Sequence, residues 1–299
     1  MKAPVIAVTL GDPAGVGPEV AAAALRGPLP KGFRYEVVGK AGAAKPGRST
    51  RRSARAAWDA LERAAEGCRA GRYAAVVTGP VRKETLAEIG FPYPGQTEFL
   101  AAACGLPEER AVMAFWSPRL RVSLLSAHCS LKESIARATA ARLRHVAGET
   151  ARFLRELGIV RPRLAVAGIN PHAGENGLFG REEARFAPVF RAGIPGAELS
   201  GPYPADTVFW RAAHGEFDGV VAANHDQGLA PFKMAAFHDG VNVTLGLPLV
   251  RTSPDHGTAL ALAGTGRADP RSMVAALRLA AKIVAGRARA AQREGSPKP

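Results

Sequence analysis

Short apolar runs rich in valine, isoleucine and leucine recur along the chain, separated by longer stretches whose apolar positions follow helical spacing. The clearest runs are Val5 to Leu10, Tyr73 to Val77, Leu120 to Ser126, Arg163 to Ala167 and Gly219 to Ala223, each ending in a polar or Gly/Pro-containing turn. Short apolar runs alternating with helical stretches predict strands buried on both faces, the habit of a parallel sheet covered by helices. Ser130-Leu131-Lys132-Glu133 has capping-box spacing and predicts a helix running through Ile135, Leu143, Val146 and Phe153 to a stop at Gly158. Asp269-Pro270 predicts an N-cap with proline in the first turn, followed by a buried face of Met273, Leu277, Ala280 and Val284. The segment from Ala41 to Ala54 reads as a surface loop and the last dozen residues as a frayed end. No internal repeat is evident.

At 299 residues the chain is long enough for two domains or one large α/β unit, and can bury a core with no disulfide or metal to hold it. A hydrophobic content of 47% with 22% charged residues excludes a disordered chain. Cys68, Cys104 and Cys129 are far apart and odd in number. They form neither a disulfide framework nor a cysteine-rich zinc cluster, which points to a reducing cytoplasm. No apolar run reaches the roughly 18 residues that span a bilayer, and Met1-Lys2-Ala3-Pro4 enters a strand directly, without a signal peptide's core. The expectation is a cytoplasmic protein with no membrane partner.

Forty Lys and Arg against 26 Asp and Glu leave a formal charge of +14. Much of the excess is arginine dispersed over helical stretches, as at Arg142, Arg144, Arg152 and Arg155, but Lys45 to Arg52 and the tail from Gly286 are denser. Neither dense segment interleaves aromatic residues for base stacking, so no nucleic-acid partner is expected. An electrostatic funnel for a phosphorylated substrate is as good a use of the charge.

Candidate chemistry gathers just past three of the strands. Leu120 to Ser126 leads to His128, Arg163 to Ala167 leads through Asn170-Pro171 to His172, and Gly219 to Ala223 leads through Asn224 to His225-Asp226. The carboxyl ends of parallel strands share one edge, where ligands bind. Three imidazoles there can hold a divalent cation with positions left open for substrate; the alternative for each is a hydrogen-bonded structural histidine. His145 and His214 read as structural or surface residues, and His238 is open. The first turn, Gly11-Asp12-Pro13-Ala14-Gly15-Val16-Gly17-Pro18, follows a strand and opens a helix, which suits an anion, yet it is neither a dinucleotide G-x-G-x-x-G nor a Walker motif. Thr78-Gly79-Pro80 with Arg82 and Lys83, and Gly95-Gln96-Thr97-Glu98, are similar small-residue turns. Lys233, Asn242, Arg251 and His256 follow in one dense stretch. A lysine there can bind phosphate or move a proton, and an arginine can clamp an anion with two hydrogen bonds.

At these residues the sequence resembles a family. Thr9 to Glu19, Thr78-Gly79-Pro80-Val81, Thr97-Glu98-Phe99, Asn170-Pro171-His172-Ala173-Gly174-Glu175, Pro204-Ala205-Asp206-Thr207, His225-Asp226-Gln227-Gly228-Leu229, Gly240 to Pro248, Arg251-Thr252-Ser253 and Asp255 to Ala259 are similar, in order, to the 4-hydroxythreonine-4-phosphate dehydrogenases. The resemblance implies NAD-dependent oxidation of 4-phosphohydroxy-L-threonine, with NADP as a possible substitute, on the route to pyridoxal phosphate. The resulting 3-keto acid loses carbon dioxide to give 3-amino-1-hydroxyacetone phosphate. It further implies a two-domain α/β fold like that of isocitrate and isopropylmalate dehydrogenases, with parallel or mixed sheets and an interdomain cleft. One domain would comprise 1–95 with 251–299, on the cofactor side, and the other 96–250, with the metal ligands and dimer contacts. His128, His172 and His225 match three ligands of one divalent cation (Zn, Mg or Co) shared across a homodimer, and Thr97, Lys233, Asn242 and Arg251 match substrate contacts. Lys233 is the candidate for proton transfer or phosphate contact, and Asp206 for a supporting carboxylate.

One position departs from the family pattern, which carries a histidine where this chain has Gln96. Glutamine donates hydrogen bonds but carries no proton or charge, which keeps open a sister enzyme acting on threonate or erythronate phosphate. The loop from Ala41 to Arg55 is also shorter than the family's insertion. His256-Gly257-Thr258-Ala259, Ala263-Gly264-Thr265-Gly266 and Ala268-Asp269-Pro270 resemble the adenosine-binding loop of isocitrate and isopropylmalate dehydrogenases. There the position of His256 packs on adenine and that of Asp269 reads its edge. The rivals outside this class are a nucleic-acid-binding module, which would survive a chelator, and a catalytically dead metal-binding scaffold.

Overall fold

The computed structural model describes residues 3–42 and 44–294. The chain divides into two compact units, one of Met1–Ala111 with Val241–Ala288, the other of Val112–Gly240 with the segment from Arg289. The first unit opens with β1 (Val5–Thr9), α1 (Gly17–Arg26), β2 (Arg34–Val38), α2 (Arg51–Arg69), β3 (Ala75–Thr78), α3 (Lys83–Ala87) and α4 (Gln96–Ala103). The second holds β4 (Val112–Trp116), β5 (Arg121–Leu124), α5 (Leu131–Arg137), α6 (Ala140–Glu156), β6 (Arg163–Ala167), α7 (Ala187–Ala192), β7 (Glu198–Tyr203), α8 (Ala205–Ala213), β8 (Gly219–Ala222) and α9 (His225–Ala236). The chain then returns to the first unit with β9 (Val241–Leu245), β10 (Arg251–Pro254) and the start of α10 (Arg271–Glu294).

In the first unit the strands lie in the order β2-β1-β3-β10-β9, parallel except for the β10/β9 pair. In the second the order is β4-β5-β8-β6-β7, parallel except for β4/β5. Central strands such as β1, β3 and β8 are buried at nearly every position, as their unbroken apolar runs require. The units break after Ala111 and Gly240, not near 95 and 250, because the chain to Ala111 belongs to the first unit's core. Phe99, Leu100 and Ala101 of α4 pack there with Leu61, Phe91, Leu247 and Leu249. The second core joins Phe115, Val122, Leu124 and Val220 to Phe209 and Phe232.

Three local expectations are corrected. The helix expected from Ser130 to Gly158 is two helices: Ser130 caps α5, the chain leaves helical geometry at Ala138, and Thr139 caps α6 by accepting from Arg142 N at 3.1 Å. Glu133 pairs with Arg137, one turn on, an alternative to the reciprocal bond of a capping box. The loop from Ala41 ends at Thr50, where a Thr50–Ser53 capping box starts α2. The last helix continues to Glu294, short of the fraying expected earlier; residues 295–299 lie outside the described residues. All three cysteines are free, and no described helix is long and apolar enough to cross a membrane.

Candidate active site: a buried arginine cluster and a histidine edge

In the first unit, strand register assembles a buried polar cluster. Arg251 faces Val76 in the parallel neighbour β3 and Thr244 in the antiparallel neighbour β9. Side chains two residues apart share a face of a strand, so Thr78, Asn242 and Thr244 all reach its guanidinium. Arg251 donates from Nε and Nη2 to Thr78 Oγ1 (3.1 and 2.9 Å), and from Nη1 to Asn242 Oδ1 (3.0 Å) and Thr244 Oγ1 (3.1 Å). It is 5% exposed. Burial pushes the guanidinium down to about 10, opposed by the charge of Glu98. A cation held among neutral acceptors at this depth is expensive, and an arriving anion relieves that expense.

Next to this cluster the turn after β3 crosses the turn after β1. Asp12 N donates to Pro80 O (2.9 Å) and Gly79 N to Thr9 O (2.8 Å). A Cβ on Gly11 would lie 2.1 Å from Pro80 O and one on Gly79 2.4 Å from Leu10 C, so the crossing admits no side chain at either position. Gln96, at the start of α4, donates from Nε2 to Gly79 O at 3.1 Å; Thr97 beside it is buried. Thus Gln96, Asn242 and Arg251 are brought to one strand end, all within the first unit. Buried Asp12 accepts from Ala14 N at 3.0 Å and from Ser49 Oγ, tying the first turn to the loop before α2. The first turn also receives the loop after β10, where Val16 N donates to Thr258 O at 2.9 Å.

In that loop His256 Nδ1 lies 2.9 Å from Gly257 O, and its buried Nε2 has no hydrogen-bond partner among the described residues. A buried ring nitrogen without a partner is uncommon in a folded chain and calls for one. Asp269 accepts from Arg271 N at 3.0 Å and pairs with the Arg271 guanidinium at 2.6 Å. It therefore secures the start of α10, and Arg271 engages both its oxygens.

The second unit builds the histidine edge. Strands β5, β8 and β6 are adjacent and parallel, so their carboxyl ends, followed by His128, His225 and His172, emerge on one edge. The His128 and His225 rings stand 6.1 Å apart between centroids, in a cleft of about 750 Å³ lined also by Cys129, Ser130, Asn224 and Asp226. His225 Nδ1 lies 2.8 Å from Asp226 Oδ1; a ring held through Nδ1 by a carboxylate directs Nε2 outward, the arrangement a metal-binding histidine needs. His172 packs 6.0 Å from the Phe179 ring. Among the described residues of the single chain, no group of three or more His, Cys, Asp or Glu side chains converges on one point.

Two residues with no role assigned from sequence hold this edge. Gln227 accepts from Ala223 N and donates to Gly168 O, both at 2.7 Å, lacing the end of β8 to that of β6. The sequence offered two signals, its place three residues after the cap Asn224, to which its backbone amide donates at 3.1 Å, and the His225-to-Leu229 motif, neither of which gave it this role. The other residue is Glu183, buried at 9% exposure. It accepts from Ile169 N (2.9 Å), Asn170 N (2.7 Å) and Asn170 Nδ2 (3.0 Å), while Asn170 also donates to Glu182. Beyond it, His172 to Asn176 run through a left-handed turn with φ between 41° and 83°, only Gly174 being glycine. Left-handed geometry costs roughly 1–2 kcal/mol per non-glycine residue, so the turn persists only while its base is held. Glu183→Ala is expected to lower stability by about 2–4 kcal/mol through the two freed amides, read as the urea midpoint. A change under about 0.5 kcal/mol, within the usual scatter of surface substitutions, would contradict this role.

Asp206 lies exposed in the first turn of α8 and makes no side-chain hydrogen bond among the described residues. Lys233 is half-buried on α9, its Nζ 6.0 Å from the centre of the Phe237 ring. Its helix is the one that begins at His225.

The fold is that of an α/β protein, and the chain's relatives define its class. The family described as "Pyridoxal phosphate biosynthetic protein PdxA" matches residues 21–280. The 4-hydroxythreonine-4-phosphate dehydrogenase of Bradyrhizobium diazoefficiens is 45% identical over 283 residues, covering 92% of this chain and 80% of the relative. The D-threonate 4-phosphate dehydrogenase of Salmonella typhimurium is 36% identical over 329 residues, covering 95% and 100%. Among solved structures, the 4-hydroxythreonine-4-phosphate dehydrogenase of Klebsiella pneumoniae has a TM-score of 0.77 at 36% identity, covering 94% of this chain and 99% of that one. An isocitrate dehydrogenase from Methylococcus capsulatus, 17% identical with a TM-score of 0.50 over 97% and 90%, shares the fold. The chain belongs to the PdxA family of dehydrogenases.

Proposed function

We propose that the chain oxidises a 4-phosphorylated hydroxy acid, 4-phosphohydroxy-L-threonine in first place, using NAD or NADP and one divalent cation (zinc, magnesium or cobalt). It would act in pyridoxal phosphate biosynthesis, in the cytoplasm, as a homodimer whose metal site draws on both copies. The observation that carries the reading is the buried guanidinium of Arg251, whose hydrogen-bond partners are all neutral and whose charge is offset by that of Glu98. A site that pre-desolvates a forked cation favours phosphate or carboxylate.

When bound, the nicotinamide takes the hydride and the cation polarises the alcohol. His128, His172 and His225 are the residues that would hold the cation; neutral imidazoles suit zinc and cobalt, and Asp226 fixes the ring of His225. Arg251 holds the anionic end of the substrate, with Thr78 and Asn242 orienting its fork, and Gln96 and Thr97 border the same strand end. Lys233 moves a proton or touches phosphate, and Asp206 is a supporting carboxylate. His256 and Asp269 belong to the adenosine side, His256 through its unpartnered Nε2.

The dimer reading is supported by what the second unit leaves exposed. Leu131 follows His128, Leu178 and Phe179 follow His172, Met234 lies on the helix of His225 and Phe237 just past its end, all half or more exposed. Exposed large apolar side chains, where they adjoin, mark protein contacts, and a second copy covering these would bring another histidine edge alongside.

A second reading, oxidation of D-threonate or erythronate 4-phosphate, is favoured by Gln96, whose amide is engaged by Gly79 O and cannot carry the charge of a histidine. A panel of the three phosphorylated acids, followed by appearance of reduced nicotinamide, decides between them. We expect 4-phosphohydroxy-L-threonine to lead in kcat/KM. A reversed order transfers the assignment to the sister enzyme, and no reduced nicotinamide from any of the three sinks both readings.

A further inference from the structure

The basic run before α2 has no part in the reading above, yet it forms a pocket. A cavity of about 400 Å³ is lined by Lys40, Lys45, Arg48 and Arg52, with Pro13 of the first turn and Thr50 among the other residues. Four cations and no carboxylate line it. Among the described residues none of the four makes a side-chain hydrogen bond or ion pair, so their charge is not neutralised by the protein. The nearby carboxylates are engaged elsewhere: Asp12 with Ala14 N and Ser49, and Glu19 with the amides of Gly264 and Gly266, each at 3.3 Å.

The position of the pocket narrows what it takes. Gly47 N donates to Ala14 O at 2.8 Å. A Cβ on Gly47 would lie 3.3 Å from Leu260 O, and one on Gly264 2.8 Å from Pro46 Cβ. The loop carrying Lys45 and Arg48 is thus seated directly on the segment from His256 to Gly266. If that segment receives the adenosine of a dinucleotide, the cations stand beside the adenosine ribose. In Rossmann folds, sites that select NAD place an acidic residue on the ribose hydroxyls and those that accept NADP supply an arginine there; the same charge logic holds wherever a ribose meets side chains. Gly257 to Gly264 contains no acidic residue.

We propose that this pocket binds a phosphate monoester on the adenosine ribose, the 2′-phosphate of NADP, and that the chain therefore prefers NADP to NAD. The inference rests on the reading of a nicotinamide dinucleotide at the His256 loop. Exposed charge contacts are individually weak, so two cations are removed together.

The test is calorimetric titration of the intact chain with 2′,5′-ADP and with 5′-AMP, for the wild type and for Lys45→Ala/Arg48→Ala, alongside kcat/KM for NADP and NAD. We expect 2′,5′-ADP to bind the wild type about tenfold or more tightly than 5′-AMP, with the gap closing in the double variant. Equal affinity in the wild type, or a gap that survives the substitutions, overturns the proposal. If the wild type turns over with NAD and shows no gap, the specificity inference falls and the dehydrogenase reading stands. If neither nucleotide binds, the dinucleotide reading at this loop falls and takes the inference with it. The thermal midpoint of the double variant guards against misfolding, and for a misfolded variant Lys45→Gln/Arg48→Gln replaces it in the same titration.

Discussion

Arg251→Lys is expected to fold and to lose about 10²–10³-fold in kcat/KM for the phosphorylated acid. The guanidinium reaches Thr78, Asn242 and Thr244 from three nitrogens at once, whereas an ammonium offers its donors from a single atom and cannot span that fork. The replacement also makes substrate capture pH-dependent. Burial brings the arginine down to about 10, and the same burial would push a lysine below its own, already lower, ordinary value. The sign follows from linkage: a base whose pKa is depressed by folding costs stability while charged, and that cost is relieved only as pH rises through its folded value. For the arginine this window begins near 10, outside the working range. For the lysine it opens at lower pH, so the variant's kcat/KM should decline as pH rises above neutral, through a rising KM. The wild type should show no such decline from this group. A lysine variant with wild-type kcat/KM and a wild-type pH profile would remove Arg251 from the site.

The second large effect is expected at His172. Its ring is exposed in the left-handed turn with its centre 6.0 Å from that of the Phe179 ring, and the next residue, Ala173, already adopts the same backbone geometry with φ 54°. His172→Ala therefore should leave the midpoint of unfolding within about 0.5 kcal/mol of wild type. Turnover supported by added zinc, magnesium or cobalt should fall by about 10³-fold, the order expected when Lewis-acid stabilisation of several kcal/mol is lost. Treating the wild type with EDTA should produce the same loss, reversed by adding the cation back. Full activity in a chelated His172→Ala preparation would end the metal reading, and an unfolded variant would instead assign His172 to the scaffold of the turn.

These two residues mark what could be read from one dimension. Unbroken apolar runs located β1, β3, β5, β6 and β8 because strands buried on both faces need no alternation, and with them the three histidines just past strand ends. The helix break at Ala138 was hidden because Ile135 and Leu143 keep an apolar face that a helical period links across Thr139. The start of α2 was obscured by the basic run that precedes it. Glu183 and Gln227 escaped for a different reason. Their work is to hold main-chain amides and carbonyls of another segment, and a sequence does not show which backbone groups a fold leaves without partners. The Arg251 cluster was half legible: arginine and asparagine stood out as chemistry, but Thr78 and Thr244 join it only through strand register.

The order of strands in the first unit bears on how the chain is made. β3 is flanked by β1 on one side and β10 on the other, and Thr78 and Arg251 are 173 residues apart. At about 5–20 residues per second, the ribosome leaves the outer edge of a valine-rich strand open for roughly 10–35 s before its neighbour emerges. During that interval the contiguous stretch from Val112 to Gly240 can complete its own strands. The nascent first unit, with its unpaired edge, is the species that a chaperone must shield or that would aggregate.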